Sequence, residues 1–547
     1  MTQGDDKAGR PAIAPLIRLA AVLLSEGRGD DAHMLLDECS ALAPGRLDFR
    51  EALVELAVKR GRVVEGLEAL LRLIEAGAPR AYAVERFTPL LNQAFADVQI
   101  RYDRGEAEEA VLYLDPLTEI LPDHANLQGM ALSCSRFLKT TERSKQLMRR
   151  LLALDPSHGE ARMTMIEHLH SVGDLAAEAE WRHALMLADP QPIPKLNHIW
   201  NAYELINLTI CDPLTEMSMA RIEQAKQALD RIDYDPAATS GPDAWARFCR
   251  AMAGGIDFSA LHRPPTQARP PAALAGSDGT PMTVAELRDL AARHRAEAVF
   301  LVAADEAYAA DYARFYVRSV LRNAGVRALT IVHIVGGGTK LAEIARRIGI
   351  TDERLVLSGD DFDPAMIASQ VVDAPSQPRI TKPAAHYQSA RFHQAPWILS
   401  ELGLPLIVTD VDCLLERDVR DLLALAPTTD FVLNENIVMR QLGARITANL
   451  LLLFPTPDAL EFVRFVSSYL EAMLQRPDIP KFIDQIALLI GRHYMAANRP
   501  GARIGYFDVE TDINNCIFME YYAHPFRFLS LYRGFDMASL PEWHRGD

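Results

Sequence analysis

The sequence predicts two architectures in one chain: an all-α solenoid of repeated helix pairs, then an α/β domain on a mainly parallel sheet. Three observations carry this expectation. Prolines recur at Pro122, Pro156 and Pro190, at intervals of 34 residues. Residues 262–282 hold five prolines and two glycines in 21 positions. Beyond that stretch, apolar runs of strand length alternate with amphipathic helical segments. At 547 residues the chain is in any case too long for a single hydrophobic core.

Seventeen residues before each of those prolines stand Gly105, Lys139 and Gly173, and Gly27 and Gly61 are also 34 apart. Gly27 is followed at +5 by Ala32 and at +17 by Pro44, as Gly105 is by Ala110 and Pro122. Glycine admits a tight turn between antiparallel helices, and a small residue early in the second helix lets it approach the first. Proline then stops the second helix. Two positions and one interval depart from the pattern. Lys139 stands where a turn glycine is expected and Gly66 where the small alanine is. Gly61 and Gly105 are 44 apart, which places an insertion near residues 79–95. Over about residues 11–192 the spacing resembles the tetratricopeptide repeat. That resemblance implies a surface that recruits a protein acceptor or partner, or that assembles the chain as a homo-oligomer.

The repeats are assigned to residues 1–195. Residues 196–261 still read as helical but lose the period, and are expected to be capping helices on the solenoid. Residues 262–282 preclude a continuous helix or a central strand and read as a linker. Residues 283–547 remain for the second domain. Its opening reads helix (VAELRDLAARHRA), strand (VFLVAA), helix (YARFYVRSVLRNA), strand (ALTIVHIV), helix (KLAEIARRIG) and strand (RLVLS). In such sheets ligands bind beyond the carboxyl ends of the strands.

Four groups of residues there are candidates for chemistry. Ala303, Ala304, Asp305 and Tyr308 follow the first apolar run. An acid at that point can hold a base or ribose and a tyrosine can stack on a ring, while the plainer reading of Asp305 is a helix N-cap. Asp410, Val411 and Asp412 follow the run LPLIVT. Two carboxylates at i and i+2 on a strand point to the same side, and like charges so placed need a cation or hydrogen bonds. A divalent cation bridging a diphosphate would supply that charge. A DxD triplet alone more often marks a solvated turn, but these acids emerge from a buried run. Arg391, in Ser389-Ala390-Arg391-Phe392, can clamp a phosphate or an acidic sugar-binding residue; its plainer reading is a surface arginine. Asp484 and Gln485 put an acid and an amide inside an apolar helix, where a sugar hydroxyl or a backbone carbonyl would satisfy them.

In this order the segments resemble a GT-A glycosyltransferase, nearest to the retaining family of bacterial lipopolysaccharide galactosyltransferases and glycogenin, over about residues 297–515. The resemblance implies a Rossmann-like nucleotide-sugar-binding domain, a UDP-sugar donor in preference to others, and Mn²⁺ or Mg²⁺. It implies that Ala303, Ala304, Asp305 and Tyr308 hold base and ribose. Arg391 would reach the donor, Asp410 and Asp412 would coordinate the metal, and Val411 would lie against the donor. Asp484 and Gln485 would fall beside the donor sugar and the reacting centre, with Glu435 a further acid nearby. The family's third metal ligand is a late histidine, for which His544 is the positional candidate and His524 the rival. Thr447-Ala448-Asn449 replaces the family's Asn-Ala-Gly, and Ala307 replaces the asparagine before the tyrosine.

The expected activity is metal-dependent transfer of a hexose from a nucleotide-diphosphate donor to an acceptor hydroxyl, with retention implied by the resemblance alone. The competing expectation is a non-catalytic repeat scaffold with a degenerate transferase domain. A nucleotidyltransferase would be expected to carry a Gly-rich phosphate loop beside the first strand, and VFLVAADEAY has none. Lys+Arg total 57 and Asp+Glu 73, so the charge is 57 − 73 = −16, a poor balance for binding nucleic acid. Six cysteines without a CxxC pair fit a reducing compartment rather than a zinc module or disulfide framework. The polar, acid-bearing start lacks a signal-peptide pattern, and no apolar stretch nears the ~18 to 20 residues that span a bilayer. A cytoplasmic protein without a transmembrane segment is expected.

Overall fold

The computed structural model describes residues 13–172, 174–187, 195–211, 216–238, 240–366, 370–372, 384–436, 442–508, 512–514 and 526–531. The chain divides into two compact units, Met1–Ala188 and Asp189–Asp547.

The first unit is a succession of helix pairs. They are Ile13–Ser25 with Gly29–Leu42, Leu47–Lys59 with Val63–Glu75, and Thr88–Asp103 with Ala107–Ile120. Ala125–Phe137 with Thr141–Leu154, and Gly159–Val172 with Leu175–Leu187, complete the described series. Gly27, Gly61 and Gly105 turn between helices at φ 78°, 66° and 72°. The Arg28 N–H closes the first turn on the Leu23 carbonyl at 2.8 Å, six residues around, which is how a left-handed residue ends a helix. Lys139 takes the same conformation at φ 58°, with the Thr140 N–H bonded to the Ser135 carbonyl at 2.9 Å. The turn is therefore kept although its glycine is not. The two remaining departures also have packing reasons. A Cβ at Gly66 would lie 3.0 and 3.1 Å from the Leu90 methyls. The longer interval holds an added short helix, Arg80–Arg86.

Left-handed lysine costs about 1 kcal/mol, and glycine regains part of that as unfolded-chain freedom. Lys139→Gly is expected to stabilise this unit by about 0.5 kcal/mol. A thermal midpoint that fails to rise would count against strain at this turn.

The second unit carries thirteen described strands. The first four are β1 (Ala273–Gly276), β2 (Ala298–Ala304), β3 (Ala328–Ile334) and β4 (Leu355–Gly359). Then come β5 (Gln370–Val372), β6 (Leu406–Thr409), β7 (Cys413–Leu415), β8 (Phe431–Glu435) and β9 (Ile446–Leu453). The last are β10 (Asp478–Pro480), β11 (Ile504–Tyr506), β12 (Ile513–Asn514) and β13 (Phe528–Ser530). Eight form one mixed sheet in the order β1-β4-β3-β2-β6-β9-β8-β11, in which β1 and β9 run against the others. Every residue of β2 and β3 is buried, as their unbroken apolar runs require. Successive crossovers step from β2 to β3 to β4, whereas β6 lies on the other side of β2. The crevice at the carboxyl ends of β2 and β6 is thus the switch point where doubly wound sheets bind ligands.

Two sequence expectations need correction. The helices Lys195–Cys211, Glu216–Asp230 and Gly241–Gly254, expected as caps on the solenoid, belong to the sheet unit. His493 bonds to the Ile210 carbonyl at 2.7 Å, the Leu442 N–H donates to Asn207 Oδ1 at 2.9 Å, and Phe248 meets Phe482 edge-on at 6.5 Å. Helical periodicity specifies which face is buried, not what it is buried against. Nor is 262–282 only a linker. Its proline-free residues Ala273–Gly276 pair antiparallel with β4 at the sheet edge, where flanking prolines are tolerated. No described helix is long and apolar enough to cross a membrane.

Burial pushes the His493 imidazole down to about 4 from the usual 6.5. Between those values the unfolded chain binds a proton that the folded chain refuses, so stability falls as pH drops through the window. His493→Gln, which keeps an N–H for Ile210, should lose about 1 to 2 kcal/mol less than the wild type between pH 7 and 5. Equal losses in urea denaturation would remove His493 from this account.

Candidate active site

The switch-point crevice gathers most of the residues singled out from sequence. Asp305 follows β2 and caps the helix Glu306–Asn323, its carboxylate accepting the Tyr308 N–H at 2.7 Å. Asp305 is thus a helix N-cap, and the cap fixes where Tyr308 projects. The Tyr308 hydroxyl donates to Asp412 Oδ2. Tyr308 also packs on Tyr312, ring centroids 4.5 Å apart, and the Tyr316 hydroxyl one turn on accepts from Thr409 Oγ1 at 2.7 Å. Sequence reading misses Tyr312 and Tyr316, although it holds a signal for them: tyrosines at i, i+4 and i+8 share one helix face.

Asp410 and Asp412 do not sit on a strand. β6 ends at Thr409, and the Cys413 N–H bonds back to the Asp410 carbonyl at 3.1 Å, so the two acids occupy a turn between β6 and β7. Strand alternation therefore does not place them. Different partners hold them instead: Tyr308 bonds Asp412, and Arg391 Nη1 donates to Asp410 Oδ1. Val411, between them, is buried in the core, so its side chain is packing rather than donor contact.

Arg391 is the hub of the site. It projects from the helix Ala384–Leu402 and is only 2 % exposed, the opposite of a surface arginine. Its Nη2 donates to the Ala448 carbonyl at 2.9 Å and lies 3.5 Å from Asp484 Oδ2. One guanidinium thus joins the β6–β7 turn, β9 and the start of the helix Ile483–Asn498. That contact explains why Asp484 is tolerated in an apolar helix. Gln485 Oε1, Gln388 Oε1, one turn from Arg391, and Thr447 Oγ1, beside Ala448, are buried without a hydrogen-bond partner among the described residues. Buried polar atoms without a partner are candidates for bonding a ligand hydroxyl.

Electrostatics separates the carboxylates. Burial, then the Asp410 charge, push Asp412 up to about 7, against the pull of Tyr308 and Arg391. Burial raises Asp484 to about 6, opposed by Arg391. Burial and Asp412 raise the Tyr308 hydroxyl, which stays a donor. Glu435 Oε1 accepts from both Arg445 Nε and Arg492 Nη1 at 2.8 Å, which ties this acid to two arginines. Asn449 is tied to Asn434, whose Nδ2 donates to its Oδ1 at 3.0 Å.

The donor set at the turn is two carboxylates, hard oxygen ligands suited to Mg²⁺ or Mn²⁺. Asp412 carries a like-charge interaction with Asp410, opposed by Tyr308 and Arg391, that a divalent cation would further offset. Among the described residues no three His, Cys, Asp or Glu side chains cluster for a metal. Two protein carboxylates plus substrate phosphates is an ordinary arrangement for Mg²⁺, so the residues present fit such an ion. His544 and His524 lie outside the described residues.

Ala303 packs with Val335 and Ala390, with Phe362 and Tyr387 against them, and Ala304 is buried in the sheet core. Beside this group a cavity of about 480 Å³ opens beyond β3 and β4, lined by Asp360, Phe362, His386 and His393 among others. A Ser358-His333-Asp360 chain lies next to it, with His333 bonded to Ser358 Oγ at 3.0 Å and Asp360 Oδ2 at 3.1 Å. Ser358 and His333 are buried in the sheet, so this is not a nucleophile site. Asp360 instead takes the Gly336 and Phe362 N–H groups and fixes the loops after β3 and β4.

No family model matches the chain, and no curated protein matches it. Among solved structures, it is similar to a thermophilic TPR protein of Thermus thermophilus, at 20% identity and TM-score 0.16, covering 35% of this chain and 97% of that one. It is similar to the WbbM bifunctional glycosyltransferase at 12% identity and TM-score 0.24, covering 40% and 39%. Mouse xyloside xylosyltransferase 1 is similar at 11% identity and TM-score 0.25, covering 43% and 97%. At TM-scores this low, none of these likenesses bears on the chemistry.

Proposed function

We propose that the chain is a metal-dependent glycosyltransferase that moves a sugar from a nucleotide-diphosphate donor to an acceptor hydroxyl. The observation that supports this best is the buried Arg391, which bridges Asp410 and Asp484 at the switch point of the sheet. Asp410 and Asp412 would hold Mn²⁺ or Mg²⁺. That ion, when bound, supplies positive charge for the departing diphosphate. Arg391 holds Asp410 in place and adds a cation at the same point. Tyr308 orients Asp412 by its hydroxyl. Ala303 and Asp305 are assigned to the base and ribose of the donor. Gln485 and Asp484 are assigned to the donor sugar and its reacting carbon, with the open Gln485 Oε1 accepting from a sugar hydroxyl.

Calorimetry with UDP and Mn²⁺, followed by a panel of nucleotide sugars read by mass, tests this proposal. Binding of neither UDP nor any nucleotide sugar would favour a scaffold without activity. The repeat unit is assigned to recruiting a macromolecular acceptor. A chain beginning at residue 189 should then still modify a small acceptor but fail on the protein acceptor; modification of the protein at full rate would reject recruitment.

A further inference from the structure

A second cavity in the sheet unit, of about 300 Å³, lies away from the residues assigned above, between the helices Glu216–Asp230 and Gly241–Gly254 and the start of β10. Its lining includes Lys226, Arg247, Arg250 and Arg476 against Asp230 and Asp478, a net charge of 4 − 2 = +2. The rest of the molecule makes that notable, because the chain carries −16 and the cavity beyond β3 and β4 is lined by Asp360, Asp361, Asp363 and Glu471 without a lysine or arginine.

Local structure accounts for three of the four cations. Lys226 Nζ donates to Glu223 at 2.6 Å and to the Ile256 carbonyl at 2.7 Å. Arg247 pairs with Asp478 at 3.1 Å and Arg250 with Asp230 at 2.6 Å. Arg476 has no ion pair or side-chain hydrogen bond among the described residues, yet it is held close: a Cβ at Gly254 would lie 2.8 Å from its Nη2 and 3.5 Å from Cζ. At the end of the helix Gly241–Gly254 the Ala251, Met252 and Ala253 carbonyls accept from the Gly255 and Ile256 N–H groups. Arg250 also lies over the Tyr234 ring, 5.0 Å from its centroid, which leaves an aromatic wall beside the cations.

We infer that this cavity is a binding site for a small phosphate-bearing anion, separate from the donor site. The Arg250 and Arg476 guanidinium groups supply more N–H donors than the one carboxylate paired with them, Asp230, uses, in the geometry that matches phosphate oxygens. The volume falls at the lower end of small-molecule sites and exceeds what a bare ion fills, so an organic phosphate with a ring or short chain against Tyr234 suits it. The inference does not depend on the proposed transferase activity.

The test is calorimetric titration of the full-length protein with inorganic phosphate and, separately, phenyl phosphate, in the wild type, Arg476→Gln and Gly254→Ala. Arg476→Gln removes the uncommitted cation, and Gly254→Ala displaces it while leaving every charge in place. Neither residue belongs to the assigned donor site, and matching thermal melts will show that both variants fold. The expected result is binding that weakens by about tenfold or more in Arg476→Gln and by a smaller factor in Gly254→Ala. Tighter binding of the ester identifies the phosphoryl group of a larger molecule as the ligand. Equal binding of both identifies the free ion, and either pattern supports the site if Arg476→Gln loses it. No binding by the wild type, or equal binding by all three proteins, overturns it.

Discussion

Asp412→Asn leaves the fold in place and lowers Mn²⁺-dependent hydrolysis of the donor by about 10²-fold or more. Asparagine keeps an oxygen for the Tyr308 hydroxyl, so the turn between β6 and β7 retains that tether. What is lost is one of two adjacent negative charges. In the metal-free protein that charge is unfavourable, since burial and Asp410 already push the carboxyl up to about 7. The variant should therefore be no less stable than the wild type while binding Mn²⁺ and UDP more weakly. A donor-hydrolysis rate in Mn²⁺ equal to that of the wild type would sink the metal assignment. A variant that unfolds would instead show that Asp412 is structural.

Arg391→Ala has the largest expected effect on stability. It leaves Asp410 and Asp484 without their shared cation and frees the Ala448 carbonyl, inside a site where Asp484 is buried. Removing one partner of a buried ion pair costs about 3 to 5 kcal/mol. Arg391→Lys should lie between, because an ammonium keeps the charge but lacks the planar fork that reaches three acceptors. The loss belongs to the sheet unit, so hydrogen exchange in β6 and β9 is the appropriate readout for a chain of two units. A loss below about 1 kcal/mol would mean that the carboxylates reorganise into water when the arginine is gone.

How far the sequence reached follows from the range of each signal. The repeat period is set by a turn conformation that recurs locally, and Lys139 shows that the turn can persist even where its usual residue is replaced. The alternating strands and helices of the second unit were readable because β2 and β3 are buried on both faces and so leave unbroken apolar runs. Asp305, Tyr308, Arg391, Asp410, Asp412 and Asp484 are legible as polar groups next to buried apolar runs. Their connections are not, since whether Arg391 faces water or two acids depends on crossovers that no local pattern encodes. Glu435 illustrates the same limit: the arginines that occupy it are 10 and 57 residues away. The helices after residue 195 were misassigned because amphipathicity does not name a partner. Asp410 and Asp412 are held by a turn and by different partners, not by the strand alternation that their spacing suggests.

The bond from His493 to the Ile210 carbonyl spans 283 residues of chain. During synthesis, at about 5 to 20 residues per second, roughly 15 to 55 s separate the emergence of its two ends. For that interval the helix Lys195–Cys211 must wait with apolar residues such as Ile199, Leu205 and Ile206 deprived of part of their eventual cover. Closing so long a loop comes late in folding and tends to be slow. The nascent chain therefore passes through a stage in which the earlier repeat unit can already be complete while these helices remain adhesive. That stage is where a chaperone would act, and where overproduction would first yield aggregates.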